Sequence, residues 1–289
     1  MKIRDILHSG KPTLSFEVFP PKTEDKFLSV SEVTRQIAAL GPDFMSVTYG
    51  AGGGSRQFTV QLAHDIQAAY QVPVLAHITC VSSTREQVRD MLEHLKAQGI
   101  ENVLALRGDK PQNEQEQETK EYHYAAELIR DIRSAGDFCI GAACYPEGHV
   151  ESQNKAEDLK YLKEKVEAGV DFLTTQMFFD NQILYRFLYR IREIGITQPV
   201  CAGIMPVTNG KQMKRIGGLS GTELPQRFKA ILDQYGTTPK AMKQAGIAYA
   251  TDQIIDLLAN GVRHIHVYTM NKPDIAAAIL HNISEILKV

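Results

Sequence analysis

The chain has no tryptophan and only four cysteines in 289 residues, Cys80, Cys139, Cys144 and Cys201, none of them spaced as C-x-x-C. Thiols this sparse exclude a disulfide framework or a zinc ribbon and suggest reduced cysteines in the cytoplasm. Long hydrophobic runs are missing too. No stretch reaches the roughly 18 apolar residues of a membrane span, and none follows the first basic residues as a signal peptide would. Nor is there an excess of either charge. Against 32 Lys and Arg stand 34 Asp and Glu, a formal charge of −2. That balance argues against a protein whose business is gripping nucleic acid or anionic lipid. Basic and aromatic residues also fail to interleave along any face as single-strand binders require.

What is present is an alternation. Short apolar runs rich in Val, Ile, Phe and Thr occur at Leu14–Phe19, Phe44–Tyr49, Val74–Cys80, Val103–Leu106, Cys139–Cys144, Phe172–Phe178, Val200–Val207 and His264–Thr269. They read as buried parallel strands. Between them lie helical stripes, such as Val33, Ile37 and Leu40, or Val88, Met91, Leu92 and Leu95 before Gly99. These stripes are core faces. The first seven runs start about 28 to 37 residues apart, the pitch of a βαβ unit. The eighth follows after about twice that interval, across Lys211–Ile216, Glu223–Tyr235 and Pro239–Asn260. The pattern predicts a single α/β domain over residues 1–289, a (β/α)8 TIM barrel with extra helices between strands 7 and 8. A doubly wound sheet would want glycines after its first strand, where Phe19-Pro20-Pro21 stands instead. The polar stretch Lys110 to Glu121 reads as a solvated loop.

In such a barrel, chemistry belongs at the C-terminal ends of the strands. Those ends carry Glu17, Thr48 and Tyr49, His77, Arg107 and Asp109, Tyr145 with Glu147 and His149, Gln176, and Tyr268. A buried strand has little reason to hold an ionisable group unless it is paired or used. Glu17, between Phe16 and Phe19, is expected to be desolvated with its pKa pushed up, as a general acid requires. The alternative is a carboxylate paired with Arg107. Arg107 otherwise suits an anion, and Gly108 lets a ligand approach the backbone. Gly50 to Ser55, glycine-rich before a helix, reads either as a phosphate cradle or as a flexible turn. His264 and His266, two apart on one strand, share a face and could pair on a metal, although no further ligand pattern accompanies them.

With these residues at its strand ends, the sequence closely resembles the bacterial methylenetetrahydrofolate reductases, flavoenzymes of one-carbon metabolism. The matching segments are SFEVFPPK at 15–22, SVTYGAGGG at 46–54, HITC at 77–80, ALRGD at 105–109, AACYPEGH at 142–149, TTQMFFD at 174–180, GIMPV at 203–207 and YTMN at 268–271. The resemblance implies a barrel that holds FAD, takes electrons from NADH or NADPH, and reduces 5,10-methylenetetrahydrofolate to 5-methyltetrahydrofolate for methionine synthesis. It implies Glu17 as the general acid and Asp109 as the carboxylate beside flavin and folate. It places Thr48, Tyr49, Ala51, His77, Arg107, Gly108, Tyr124, Ala125, Tyr145, His149, Asp158 and Lys165 at FAD, and Gln176, Gln212, Tyr268 and Lys272 at the folate. No metal, nucleic acid or membrane is implied. A homo-oligomer is, and the S-adenosylmethionine-regulated domain of eukaryotic relatives is not.

Four positions depart from the family pattern. Lys272 stands where several relatives carry Arg, Ile216 where some have an aromatic residue, and Tyr161 and Glu164 where some have Asn and Arg near the FAD phosphates and ribose. Glu164 would repel a pyrophosphate at close range and is left out of the expected site. Two other readings of the residues are a metal-dependent barrel hydrolase using the histidines with Asp109, and a catalytically silent flavin or folate binder.

Overall fold

The computed structural model describes residues 1–49, 55–108, 121–210, 213 and 221–289. Eight parallel strands close in chain order: β1 (Thr13–Val18), β2 (Phe44–Val47), β3 (Val74–Thr79), β4 (Asn102–Leu106), β5 (Cys139–Cys144), β6 (Phe172–Thr175), β7 (Val200–Ile204) and β8 (His264–Tyr268). β8 pairs with β1, with Ser15 opposite His266 and Glu17 opposite Tyr268. The (β/α)8 barrel expected from the strand pitch is the fold observed.

Helices follow the strands: α2 (Phe27–Ala38), α3 (Ser55–Tyr70), α4 (Arg85–Ala97), α5 (Ala125–Ala135), α6 (Lys155–Glu167) and α7 (Asn181–Glu193). Local chemistry fixes their starts. Thr84 and Gln87 form a reciprocal capping box on α4, the Asn154 side chain accepts from Ala156 and Glu157 N–H on α6, and Asp180 caps α7. Between β7 and β8 run α8 (Gln226–Tyr235) and α9 (Pro239–Ala259), the expected extra helical material, and α10 (Pro273–Ile283) follows β8. α8 begins at Gln226, three residues after the expected Glu223, because Pro225 precedes it in extended conformation. Apart from Met213 and Glu121, the expected helix over 211–216 and the loop over 110–121 lie outside the described residues.

Period-two alternation separates two cores. Outward residues such as Phe16, Val18, Met45, Val103, Ile140 and Val267 pack under the helices. Inward residues Phe44, Leu75, Leu104, Cys139, Phe172 and Cys201 fill the N-terminal half of the lumen. A short helix the sequence pattern did not reveal, α1 (Ile3–Leu7), closes that end by inserting Ile3 and Leu7 among them. Burial of two such side chains contributes roughly 1.5–3 kcal/mol each. Polar contacts orient the plug: Ile3 N–H donates to Asn102 Oδ1 at 2.8 Å, and Arg4 reaches Asp171 at 3.3 Å. Six strands end before their apolar runs do, most clearly β6 at Thr175 and β7 at Ile204, each three residues short. Phe178 and Val207 remain buried in the loops beyond, so the runs record burial after strand pairing has stopped.

Candidate active site at the barrel mouth

At the C-terminal end the lumen changes character. Register places Ser46 beside Glu17 and Ser15 beside His266. The Glu17 carboxylate accepts from Ser46 Oγ at 3.2 Å and meets both His77 Nε2 and His266 Nε2 at 3.5 Å. The Ser15 hydroxyl donates to the Ile265 carbonyl at 3.1 Å, so its contact with His266 Nδ1 at 2.8 Å makes it the acceptor there. His266 thus carries a proton on Nδ1 and turns Nε2 toward Glu17. Its ring stacks on Phe44, 6.2 Å between centroids and 11° apart, which links the apolar plug to the polar mouth.

This geometry corrects the reading of Glu17 in two respects. Burial does push its carboxyl up, but hydrogen bonding to His266, the electrostatic influence of His77 and His266, and the Ser46 hydroxyl outweigh it and hold the group below the usual carboxylate range. The flanking aromatics do not desolvate it: Phe16 faces the helices, and Phe19 is 39% exposed. Arg107 is not its partner either, since both guanidinium nitrogens fork onto Glu151 at 2.7 and 2.9 Å. His77 is pushed down to about 4 by burial, only partly offset by Glu17, and is neutral at pH 7.

His266 was missed as a site residue. The signal was available in the alternation that puts it two residues before Tyr268 on the same face. The metal reading of the histidine pair meets different partners in the structure: His264 contacts Thr13 Oγ1 at 3.1 Å while His266 is held by Ser15. Among the described residues no group of three His, Cys, Asp or Glu could hold a metal ion.

The other expected residues fall into two neighbourhoods. Beside the cluster, Gln176 Oε1 accepts from Met177 N–H at 2.9 Å, and the Tyr268 hydroxyl donates to the Thr175 carbonyl at 2.6 Å. Lys272 Nζ donates to Thr208 Oγ1 at 2.9 Å. Gly203 lies beneath Tyr268; a Cβ there would come within 2.4 Å of Thr175 O and 2.6 Å of the Tyr268 hydroxyl. Thr48 and Tyr49 are half-buried just after β2, Thr48 N–H donating to Val18 O at 3.0 Å.

Off the barrel axis, over β4 and β5, a cavity of about 260 Å³ is lined by Arg107, Tyr124, Ala125, Tyr145, His149, Asp158, Tyr161, Glu164 and Lys165 among others. Lys165 donates to the Ala143 carbonyl at 2.6 Å, and burial lowers its pKa. Asp158 accepts from His149 N–H and Ser152 Oγ, both at 3.2 Å, fixing the loop after β5. Gly108, beside this cavity in sequence, has φ +88°, and a Cβ there would meet Thr79 Cβ at 3.0 Å. Glu147 turns elsewhere and accepts from Glu223 N–H at 2.8 Å, tethering the segment that leads into α8. Ala51, Asp109 and Gln212, like the glycine run 50–54 and Ile216, lie outside the described residues.

A closed parallel barrel with a partly buried carboxylate against two buried histidines at its C-terminal mouth and a cavity beside it defines the (β/α)8 barrel proteins whose chemistry resides on that face. Comparison then specifies the family. The profile of methylenetetrahydrofolate reductase matches residues 2–284, and the chain belongs to that family. It is 34% identical to the 5,10-methylenetetrahydrofolate reductase of Pectobacterium carotovorum, covering 95% of this chain and 91% of that protein. It is 37% identical to methylenetetrahydrofolate reductase (NADH) 1 of Arabidopsis thaliana, covering 98% of this chain but only 50% of the plant protein. The chain thus spans about half the length of the plant relatives it matches. Among solved structures, an uncharacterized protein from Clostridium thermocellum that binds two copies of 5-methyl-5,6,7,8-tetrahydrofolic acid superposes with TM-score 0.71 at 14% identity, over 100% of this chain and 99% of that one. At that identity the likeness concerns the fold.

Proposed function

We propose that this chain reduces 5,10-methylenetetrahydrofolate to 5-methyltetrahydrofolate, using FAD that NADH or NADPH has reduced. The observation that carries the reading is the Glu17–His266–Ser15 arrangement at the mouth of a barrel belonging to this family. The residues present fit a flavin dinucleotide. His77 Nε2 is buried and has no hydrogen bond among the described residues, the backbone at Gly108 is free of a side chain, and Arg107 offers a cation at the cavity. When bound, the flavin supplies hydride transfer.

The chain's own residues do the rest. The five-membered ring of the folate must open before it accepts hydride, and opening needs a proton on the departing nitrogen. Glu17 delivers that proton. The Glu17–His266 contact at 3.5 Å keeps the proton within the pair, and the Ser15 bond holds the imidazole so that Nε2 faces the carboxyl. Asp109 stabilises the positive charge that ring opening creates. Gln176, Gln212, Tyr268 and Lys272 hold the folate. Arg107, Gly108, Tyr145, His149, Asp158 and Lys165, with Tyr124 and Ala125 at the start of α5 and with Thr48, Tyr49, Ala51 and His77, would hold the dinucleotide.

The test is a pair of half-reactions. Purified protein is expected to carry flavin absorbance that bleaches on adding NADH or NADPH and returns on adding the folate. Glu17→Gln is expected to keep the first change and lose the second. A colourless protein with full activity would overturn the FAD assignment, and activity dependent on a metal found by elemental analysis would favour the hydrolase class. Running both nicotinamides identifies the preferred donor. A single catalytic domain, a cytoplasmic location and assembly as a homo-oligomer complete the proposal on family grounds; a sedimentation mass of one 32.2 kDa chain would refute the last. No described helix is long and apolar enough to cross a membrane.

A further inference from the structure

β1 carries Glu17, and its backbone pairing runs out just past that residue. On the β8 side it stops at Glu17 opposite Tyr268. On the β2 side it reaches Val18, whose carbonyl accepts from Thr48 N–H at 3.0 Å. The chain then leaves through Phe19-Pro20-Pro21, and the two prolines have no N–H with which to continue a ladder. Side chains from the exit of β8 take over there. Thr269 Oγ1 donates to the Glu17 carbonyl at 2.6 Å. Asn271 Oδ1 accepts from Phe19 N–H at 3.0 Å, while its Nδ2 donates to the Phe19 carbonyl at 2.9 Å. A single side-chain amide thus satisfies both main-chain groups of Phe19.

The turn that presents Asn271 is held under strain. Lys272 N–H donates to the Thr269 carbonyl at 3.1 Å, and both residues between have positive φ, +54° at Met270 and +53° at Asn271. Gly, Asn and Asp normally supply such a pair. Asn271 suits its place, whereas the Met270 side chain makes this conformation costly. Gln71 is the one other non-glycine residue with positive φ among the described residues. Strain of this kind persists only where surrounding contacts over-determine it, and it gathers at working sites. Here those contacts point to β1. Thr269 and Asn271 both end on it, whereas Lys272 reaches across to Thr208.

We propose that Asn271 is a positioning residue for the folate half-reaction: its amide, presented by the strained turn, clamps the main chain of Phe19 and so fixes the strand end from which Glu17 reaches the folate. This assignment rests on the function proposed above and adds to it a residue that acts through Glu17. Ser46, His77 and His266 hold the head of the Glu17 side chain, and Thr269 and Asn271 hold the main chain on which it is mounted. Nicotinamide reduces the flavin without needing a proton from Glu17, so only the second half-reaction depends on the clamp.

Stopped-flow measurement of the two half-reactions on the flavin-loaded full chain tests it. Asn271→Gly removes the amide and leaves a residue at ease with positive φ, so the turn survives without its clamp. Folate reduction is expected to slow about tenfold, less than the ~10²-fold that a 1 Å misplacement can cost. KM for the folate and the bleaching of flavin by nicotinamide are expected to stay unchanged. Combined with Glu17→Gln, Asn271→Gly is expected to cause no further loss, because nothing remains for the clamp to position. Met270→Gly, which relieves the turn and keeps the amide, is expected to retain the wild-type rate. A rise in KM alone would assign the turn to Lys272, and equal slowing of both half-reactions would make it structural. Losses that add in the double variant, a loss in Met270→Gly matching that of Asn271→Gly, or no loss in Asn271→Gly would detach Asn271 from Glu17. Each of these overturns the clamp and leaves the reductase reading standing. Wild-type protein that binds flavin and reduces no folate would overturn both.

Discussion

The two ends of the barrel are built from the same eight strands and serve opposite purposes. At the N-terminal end the inward positions are Phe44, Leu75, Leu104, Cys139, Phe172 and Cys201, sealed by Ile3 and Leu7. A few residues further along the same strands, inward positions are Ser15, Glu17, Ser46, His77 and His266, and their polar atoms contact one another. The first end lowers the free energy of the fold by excluding water. The second accepts the cost of burying titratable groups and offsets it by pairing them. Phe44 belongs to both, as a wall of the plug and as the surface beneath His266.

Substitutions at each end should separate activity from stability. Glu17→Gln is expected to slow the folate half-reaction about 10³-fold, within the range of general acid–base catalysis, while nicotinamide still bleaches the flavin in stopped-flow traces. If it lowered stability and left turnover intact, the mouth would be structural like the base. Leu7→Ala at the base is expected to cost about 3 kcal/mol of unfolding free energy in urea, with kcat/KM for the folate unchanged. A large fall in kcat/KM at undiminished stability would show the plug to be part of the chemistry.

Acid should also distinguish the ends. His77 titrates at about 4 in the fold against an ordinary 6.5, so between these values the unfolded chain binds a proton that the folded chain does not. Its contribution to stability is therefore complete above pH 6.5 and lost as pH falls toward 4, at most about 3 kcal/mol. His264, also lowered to about 4 by burial, adds a loss of the same sign. Urea midpoints of flavin-free protein are expected to fall across this window, and His77→Gln to flatten the fall. A slope unaffected by His77→Gln would remove the mouth as its source. The smallest effect is expected at Lys272, whose ammonium makes one hydrogen bond among the described residues, to Thr208. Lys272→Met should raise KM for the folate about fivefold with little change in kcat, as loss of one hydrogen bond worth ~1 kcal/mol implies.

The contrast between the ends also explains which features could be read in the sequence. Strands buried on both faces appear as apolar runs, so all eight were legible, with β6 and β7 overextended because Phe178 and Val207 stay buried past the pairing. α1 is five residues long, too short to show a period. Glu17 was legible as a lone carboxylate in an apolar run, but the direction of its pKa was not. That depends on His266, 249 residues away and brought adjacent only when β8 closes on β1. Sequence proximity to Phe16 suggested desolvation by aromatics, and strand alternation sends that ring to the opposite face. Arg107 was legible as a cation at a strand end; Glu151, 44 residues on, was not legible as its partner.

Gly203 bears on a different property of the molecule, the dimensions of what it can admit. Tyr268 closes the lumen under the mouth with its hydroxyl anchored on Thr175 O, and it fits there because residue 203 has no side chain. Even a methyl group would overlap that hydroxyl and the Thr175 carbonyl oxygen, so the ring could not keep its place. The depth of the berth is therefore fixed by an omitted atom on β7, a strand that contributes none of the proposed catalytic groups. Redesign for a larger or smaller substrate would begin with the Gly203–Tyr268 pair, where shape can be altered while the Glu17–His266–Ser15 chemistry is left in place.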